Sequence, residues 1–278
     1  MKEKKDTLIK RVWEIDAMRG FLILGVLVYH LYFTIKAFMI NGYYQIDSLQ
    51  YVETTDPLHF WFTPLSNGTF EMSAFPRFVV QYLQPLGVDT FFVISGIACM
   101  FTRNGKKNTL RLFIAAAFIA AFTYGLAVWT GDPTRFIRFG VLMCYAFCHL
   151  IYEFLLKKRS NEFLFIIASI SFAIGYYIRY HGVQATRLPI FYIFGVPQIG
   201  DQSSDFWPII PMLGWFLLGV VIGRKYYSEK KTRLPYKLPD KLTKPLQFLG
   251  RYSGIIYVSH IVIYTAVFCG IGYIFHLL

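Results

Sequence analysis

The sequence is poor in charged residues and in cysteine. Only 16% of its 278 residues are Asp, Glu, Lys or Arg, whereas about a quarter of an ordinary soluble domain is charged. The four cysteines all lie within apolar runs and show no CxxC spacing, which argues against a disulfide framework and a zinc site. Internal repeats and low-complexity stretches are also missing. These deficits exclude an ordinary soluble enzyme and a disulfide-rich secreted domain, and we expect no metal cofactor.

Hydrophobic residues are abundant instead, at 55% of the chain. Apolar runs of about twenty residues recur, and each is long enough to cross a hydrocarbon core of about 30 Å. We therefore predict an all-α integral membrane protein, a bundle of about seven transmembrane helices that forms one domain over residues 1–278. The spans are expected at 17–39, 78–102, 109–130, 136–156, 162–180, 206–223 and 253–276. The basic start of the chain should stay attached as a signal anchor.

The links between these spans differ in charge. Lys and Arg concentrate before the first span and in the second, fourth and sixth links, whereas the long first link carries four acidic residues, namely Asp47, Glu53, Asp56 and Glu71. The positive-inside rule then places the N-terminus in the cytoplasm and the C-terminus outside. The same clustering accounts for the net charge of +12 without a nucleic-acid partner. Residues 188–196 are apolar but too short to span, and we interpret them as an outer-surface or re-entrant piece.

Ionisable residues inside the predicted spans are few and are functional candidates by default. His30 and Asp89 each lie roughly thirteen residues, about 20 Å, from the cytoplasmic end of their span. A carboxylate that holds a neutral imidazole makes it a general base, so we favour His30 as base and Asp89 as its orienting partner. His149 and His260 are expected about two turns nearer the cytoplasm. The alternative is that these histidines only join helix to helix by hydrogen bonds.

A second group of candidates lies toward the cytoplasmic mouth. Asp16 and Arg19 stand at the entry to the first span, Ser95 lies on the second span and Arg103 lies at its end. Arginines at such an opening bind phosphates bidentately, as a nucleotide-bearing cofactor requires. The alternative is that these cations only follow the positive-inside rule, without binding a ligand, and that Asp16 and Arg19 form an i,i+3 ion pair. His59 lies in the first outer link, where a solvated or structural role is the default.

Several strings resemble known membrane enzymes. Glu14 to Gly20 (EIDAMRG), followed by an apolar helix and His30, resembles the start of the bacterial relatives of heparan-alpha-glucosaminide N-acetyltransferase. Residues 205–219 (DFWPIIPMLGWFLLG) and 245–253 (PLQFLGRYS), the latter followed by His260, resemble later parts of that family. Residues 87–96 (GVDTFFVISG) also resemble the acyltransferase-3 family, whose members O-acylate surface polysaccharides.

Both resemblances imply acyl transfer from cytosolic acetyl-CoA or another acyl-CoA. Transfer across the membrane, to an acceptor on the opposite side, is one of the two arrangements they allow. The first family implies Arg19 and His30 as active-site members, and the second implies Asp89. The resemblance also implicates three residues whose roles the sequence does not give, namely Asp205, Arg251 and His260. One departure is Met143, which follows Phe139 to Leu142 where relatives commonly have a histidine. The acceptor chemistry therefore stays open.

Our preferred interpretation is a membrane acyltransferase acting on an amine or hydroxyl of a sugar or related acceptor. The candidate catalytic residues are His30, Asp89 and His260; the candidate residues for the acyl-CoA are Arg19, Ser95, Arg103 and Arg251; those for the acceptor are Asp16, His59, His149 and Asp205. The expected partners are a glycan or small-molecule acceptor and membrane lipid, in the bacterial cytoplasmic membrane. The oligomeric state is left open, a homodimer included. The alternatives are a proton-coupled transporter of a small anion or lipid, and a polysaccharide O-acyltransferase.

Overall fold

A computed structural model of the chain describes residues 12–39, 62–64, 70–72, 84–182, 189–197, 205–234 and 239–274. The helices are α1 (Trp13–Met39), α2 (Gln84–Ala98), α3 (Gly105–Thr130), α4 (Val141–Ile151), α5 (Asn161–Tyr180), α6 (Pro189–Ile193), α7 (Ile209–Tyr226), α8 (Asp240–Arg251) and α9 (Ser253–Ile274). A 3-10 turn (Cys99–Phe101) extends α2, and a π-helical turn (Tyr152–Leu156) extends α4. The strands β1 (Phe62–Pro64) and β2 (Phe70–Met72) form one antiparallel hairpin.

The helical class is therefore as predicted, apart from the short hairpin in the first link. A helix overlaps each of the seven predicted spans. In the described part of the chain, four helical segments are long and apolar enough to cross a membrane, namely Gly105–Thr130, Asn161–Tyr180, Ile209–Tyr226 and Asp240–Ile271. Two shorter helices, Leu86–Phe101 and Val141–Leu156, are apolar as well. The chain is thus a membrane protein, and a count of seven crossings stays a prediction.

Local sequence sets several of the helix ends. The side chain of Asn104 accepts a hydrogen bond from the backbone N–H of Lys107 at the start of α3, and Ser160 does the same for Phe163 in α5. Gly131 ends α3 in the left-handed region, at a φ of 67°. Residues with a side-chain oxygen just before the first helical residue, and glycine just after the last, are preferred at helix ends, because they satisfy or leave room to satisfy backbone groups that the helix leaves unpaired.

The chain folds into two compact units, each made of two separate stretches. The first comprises residues 1–15 and 89–237, and the second comprises residues 16–88 and 238–278. The expectation of one domain over residues 1–278 stays a prediction.

Two helix pairs in the first unit are antiparallel. Helices α3 and α4 meet where Thr109, near the start of α3, contacts His149, near the end of α4. Helices α5 and α7 meet where Arg224, near the end of α7, binds Asn161, the first residue of α5. Helices that follow each other across a membrane are expected to run in opposite directions, as both pairs do.

Two other pairs in this unit are parallel, α2 with α7 and α4 with α7. Gly219 and Gly223 of α7 contact Val93 and Ile97 of α2 in the same order along both helices. A β-carbon on Gly219 would overlap the backbone carbonyl of Val93. The two backbones touch at this point, as small residues allow between helices in a membrane.

In the second unit, α1 and α9 are also parallel. Arg19 contacts Ser253 near the start of both helices, and His30 contacts His260 farther along both. Helix α8 packs on the first turns of α1, where a β-carbon on Gly20 would overlap the carbonyl of Leu246. Helix α8 itself was not predicted, since it lies in the sixth link, between the predicted spans 206–223 and 253–276.

Candidate functional site

Two histidines of the second unit are in direct contact. The Nδ1 atom of His30 on α1 lies 2.5 Å from the Nε2 atom of His260 on α9, and the ring centroids are 4.7 Å apart. The side chain of His260 is buried, with 3% of the residue exposed. One imidazole therefore donates a hydrogen bond to the other within a pair of largely apolar helices.

The sequence placed His260 about two turns nearer the cytoplasm than His30, and this depth was wrong. A residue count from the end of each helix gives a correct relative depth only if the two helices start at the same level and have the same tilt. Because the two rings are in contact, α1 and α9 do not meet both conditions. Asp89, the predicted partner of His30, lies half-buried in α2 of the first unit, and its orienting role stays a prediction.

Aromatic rings surround the histidine pair. The ring of Tyr29 lies 5.5 Å from that of His30, and the rings of Tyr257 and Tyr264 lie 5.5 and 5.7 Å from that of His260. The hydroxyl of Tyr264 donates to the carbonyl of Leu27 at 3.1 Å. The Tyr264 hydroxyl thus joins α9 to α1 beside the two imidazoles.

A polar cluster lies near the start of the same two helices. The carboxylate of Asp16 pairs with the guanidinium of Arg251 at 3.6 Å, and Arg19 donates to the hydroxyl of Ser253 at 3.1 Å. The Arg251 side chain is 47% exposed and that of Asp16 is 12% exposed. Two guanidiniums and one carboxylate leave one net positive charge, which suits an anionic ligand.

His149 of the first unit has partners for both ring nitrogens. Its Nδ1 lies 2.7 Å from the Thr109 hydroxyl and its Nε2 lies 3.2 Å from the Asn108 amide nitrogen. The Thr109 hydroxyl donates to the Gly105 carbonyl at 3.0 Å, so Nδ1 of His149 is the donor and Nε2 the acceptor. This is the geometry of a bridge between helices, and an acceptor-binding role for His149 stays a prediction.

Asp205, also in the first unit, caps a helix. Its carboxylate accepts a hydrogen bond from the backbone N–H of Val141, the first residue of α4, at 3.4 Å. A β-carbon on Gly140 would overlap this carboxylate, so glycine leaves room for the cap. Burial raises the pKa of Asp205 to about 6, although hydrogen bonds from Trp207 and Val141 oppose that rise.

The other candidates are less constrained. Ser95 is buried beside Gly96, where α2 touches α7, and Arg103 is exposed in the turn between α2 and α3. His59 lies outside the described residues. Their proposed roles in binding stay predictions. No group of three or more His, Cys, Asp or Glu suited to a metal ion occurs among the residues that the structure describes.

Sequence reasoning missed the tyrosines around the pair and the role of Ser253. A signal was present, because Tyr257, His260 and Tyr264 are spaced three and four residues apart. This spacing places all three on one face of a helix, and such a polar stripe on an apolar span marks a functional face.

Comparison with known protein families gives one match. A model of the heparan-alpha-glucosaminide N-acetyltransferase catalytic family matches residues 57–262, well over half of the chain. The matched region includes Arg251 and His260 and begins after α1, which carries Arg19 and His30. No curated protein and no solved structure matches the chain.

Proposed function

Since the chain belongs to the heparan-alpha-glucosaminide N-acetyltransferase catalytic family, we propose that it is a membrane acyltransferase. It moves an acetyl or similar acyl group from an acyl-CoA to an amine or hydroxyl of a sugar or related acceptor. The observation that carries this proposal is the contact between His30 and His260 inside the α1–α9 pair. His30 is half-buried, and an imidazole whose ring is held by a second group is the arrangement that a general base requires.

The chemistry needs one base and one bond exchange. His30 removes the proton from the acceptor N–H or O–H as the nucleophile attacks the thioester carbonyl. A new C–N or C–O bond forms, the C–S bond breaks, and the proton passes from His30 to the departing sulfur of CoA. In a double-displacement route a histidine nitrogen would carry the acyl group between two such steps.

The polar cluster near the start of α1 and α9 is the proposed site for the CoA phosphates. Arg19 and Arg251 supply forked donors, while Asp16 and Ser253 hold the two guanidiniums in place. Arg19 and His30 are eleven positions apart on α1, which is roughly 16 Å of helix. A ligand that carries its phosphates at one end and its thioester at the other suits two sites separated in this way.

The proposal also includes a topology and a location. The chain crosses the bacterial cytoplasmic membrane seven times, with its N-terminus in the cytoplasm. The helix directions support it, because α1 and α9 would be the first and seventh crossings and run parallel in their unit. In the first unit, α2, α4 and α7 run one way and α3 and α5 run the other, as alternate crossings require. The cationic links then face the cytoplasm, where acyl-CoA is made.

The test is acyl transfer by the purified full-length protein in lipid nanodiscs. Radiolabelled acetyl-CoA is supplied with an acceptor that carries a free amino sugar, or with a matched sugar that carries only hydroxyls. We expect acceptor-dependent release of CoA thiol and transfer of the label; mild alkali removes an O-acyl ester and leaves an N-acyl amide. No binding of acetyl-CoA and no labelled product with any acceptor would overturn the proposal. Anion uptake by proteoliposomes driven by a pH gradient would favour a transporter instead.

A further inference from the structure

The hydrogen bond between the two histidines has a direction, which a backbone carbonyl sets. The Nδ1 atom of His260 lies 3.3 Å from the carbonyl oxygen of Ile256, one turn earlier on α9. A carbonyl only accepts, so Nδ1 of His260 must carry the hydrogen. The Nε2 atom of His260 then holds a lone pair, and Nδ1 of His30 must donate to it.

These two hydrogen bonds, from His30 to His260 and from His260 to the Ile256 carbonyl, determine which atom of His30 is free to react. A neutral imidazole has one N–H and one lone pair, and the hydrogen bond at one nitrogen decides the state of the other. Because Nδ1 of His30 is the donor, its Nε2 carries the lone pair. In the described part of the chain, Nδ1 makes the only hydrogen bond of the His30 ring.

His149 provides the contrast within the same protein. Its Nδ1 donates to Thr109 and its Nε2 accepts from Asn108, so no lone pair of that ring is left for a substrate. Both rings are held by hydrogen bonds, but only that of His30 has a nitrogen available as a base.

We propose that His260 is the positioning residue of the reaction, in the role that the sequence suggested for Asp89. It fixes His30 as the tautomer whose Nε2 takes the proton from the acceptor. This inference rests on the proposed function. When Nε2 gains that proton, the Nδ1–H bond to His260 becomes charge-assisted and stronger. The proton then leaves from Nε2 to the CoA sulfur, and both imidazoles return to their starting state.

The surroundings keep the His260 ring in this orientation. It is buried and lies beside the rings of Tyr257 and Tyr264, and Tyr264 is anchored to the Leu27 carbonyl. A ring flip of His260 would lose its bond to the Ile256 carbonyl and place a carbon against His30. The packing of α9 therefore fixes the direction of the two hydrogen bonds that His260 makes.

Nitrogen NMR of the full-length protein, labelled at its histidine nitrogens and held in nanodiscs, tests the inference. The His30 signals are assigned as those lost in His30→Gln. We expect wild-type His30 to be protonated at Nδ1 and bare at Nε2. In His260→Leu we expect this preference to be lost and kcat to fall by about 10²-fold or more, with the KM for acetyl-CoA changed by less than about threefold. In His260→Gln, a side-chain oxygen near the position of Nε2 should restore the tautomer and part of kcat.

Thr34→Val is the matched control. It removes a hydrogen bond to the backbone carbonyl of His30 and leaves the contact between the two rings in place, so the tautomer and kcat should stay near the wild-type values. Wild-type His30 protonated at Nε2 would overturn the inference, even if the His260 variants failed to fold. An unchanged tautomer in a folded His260→Leu would also overturn it. The expected tautomer without acyl transfer to any acceptor would instead overturn the proposed function and, with it, the catalytic use of this hydrogen bond.

Discussion

The guanidinium of Arg19 on α1 donates to the hydroxyl of Ser253, the first residue of α9, at 3.1 Å. Close by, Arg251 pairs with Asp16, so both arginines are held by neighbours of the same cluster. If this cluster binds the CoA phosphates, Arg19→Ala and Arg251→Ala should each raise the KM for acetyl-CoA about tenfold or more, because a charge-assisted bond is lost. The value of kcat at saturation should change little.

Lys241→Ala is the matched control for this prediction, since it removes an exposed cation from the neighbouring α8. It should leave the KM within about twofold of the wild-type value, as surface charges contribute little. Steady-state kinetics with varied acetyl-CoA provide the measurement. An unchanged KM in both arginine variants would place the donor elsewhere.

Replacing His30 and His149, whose rings are both held by hydrogen bonds, should separate an effect on catalysis from an effect on stability. His30→Ala should lower acyl transfer by about 10²–10⁴-fold, as loss of a general base does, and leave the fold intact. His149→Leu should instead destabilise the protein, by about 1–3 kcal/mol, because Asn108 and Thr109 lose a buried partner. Turnover and thermal unfolding of both variants are compared under the same conditions. Retained turnover in His30→Ala would remove this residue from the mechanism.

The contact between α2 and α7 predicts a large cost for one methyl group. Gly219→Ala should lower the unfolding temperature by several degrees, because its β-carbon would overlap the Val93 carbonyl. Gly125→Ala in α3 is the matched control. Nothing lies within 4 Å of a β-carbon at Gly125, and alanine favours a helix by about 1 kcal/mol over glycine. Equal unfolding temperatures for the two variants would contradict this packing.

Asp205 predicts a dependence of stability on pH. Its pKa is about 6 in the folded chain against 3.8 for a free aspartate. Between these values the folded state binds more protons than the unfolded state, so stability falls as the pH rises from about 4 to about 6 and stays lower above that. Asp205→Asn keeps an oxygen for the Val141 N–H and should remove this decline. Thermal unfolding from pH 4 to 7 provides the measurement, and parallel curves for the two proteins would refute the assignment.

The long helices could be predicted from sequence, because a membrane demands a continuous apolar run and such runs are visible without a structure. Helix α8 could not be predicted in this way. Its sequence mixes lysines with apolar residues, and its place depends on glycine contacts with α1. The hairpin was missed for a similar reason, since its strands of three residues carry too little pattern to detect.

The candidate site was predictable in part. His30 stood out because an imidazole is costly in an apolar helix. Its partner was not identified, because the tilt of a helix leaves no trace in its residue count. The cap that Asp205 provides joins residues 64 positions apart, a pairing that no local pattern encodes.

If α1 and α9 both cross the membrane, as proposed, their parallel course sets the sidedness of a label attached at either end of the pair. The contacts of Arg19 with Ser253 and of His30 with His260 place the first turns of α1 and the last turns of α9 at opposite ends. An epitope inserted before Trp13 and another added after Ile274 should therefore face opposite compartments. In intact cells a membrane-impermeant reagent would reach only one of them, so the two tags report on the integrity of the bilayer as well as on the orientation of the protein.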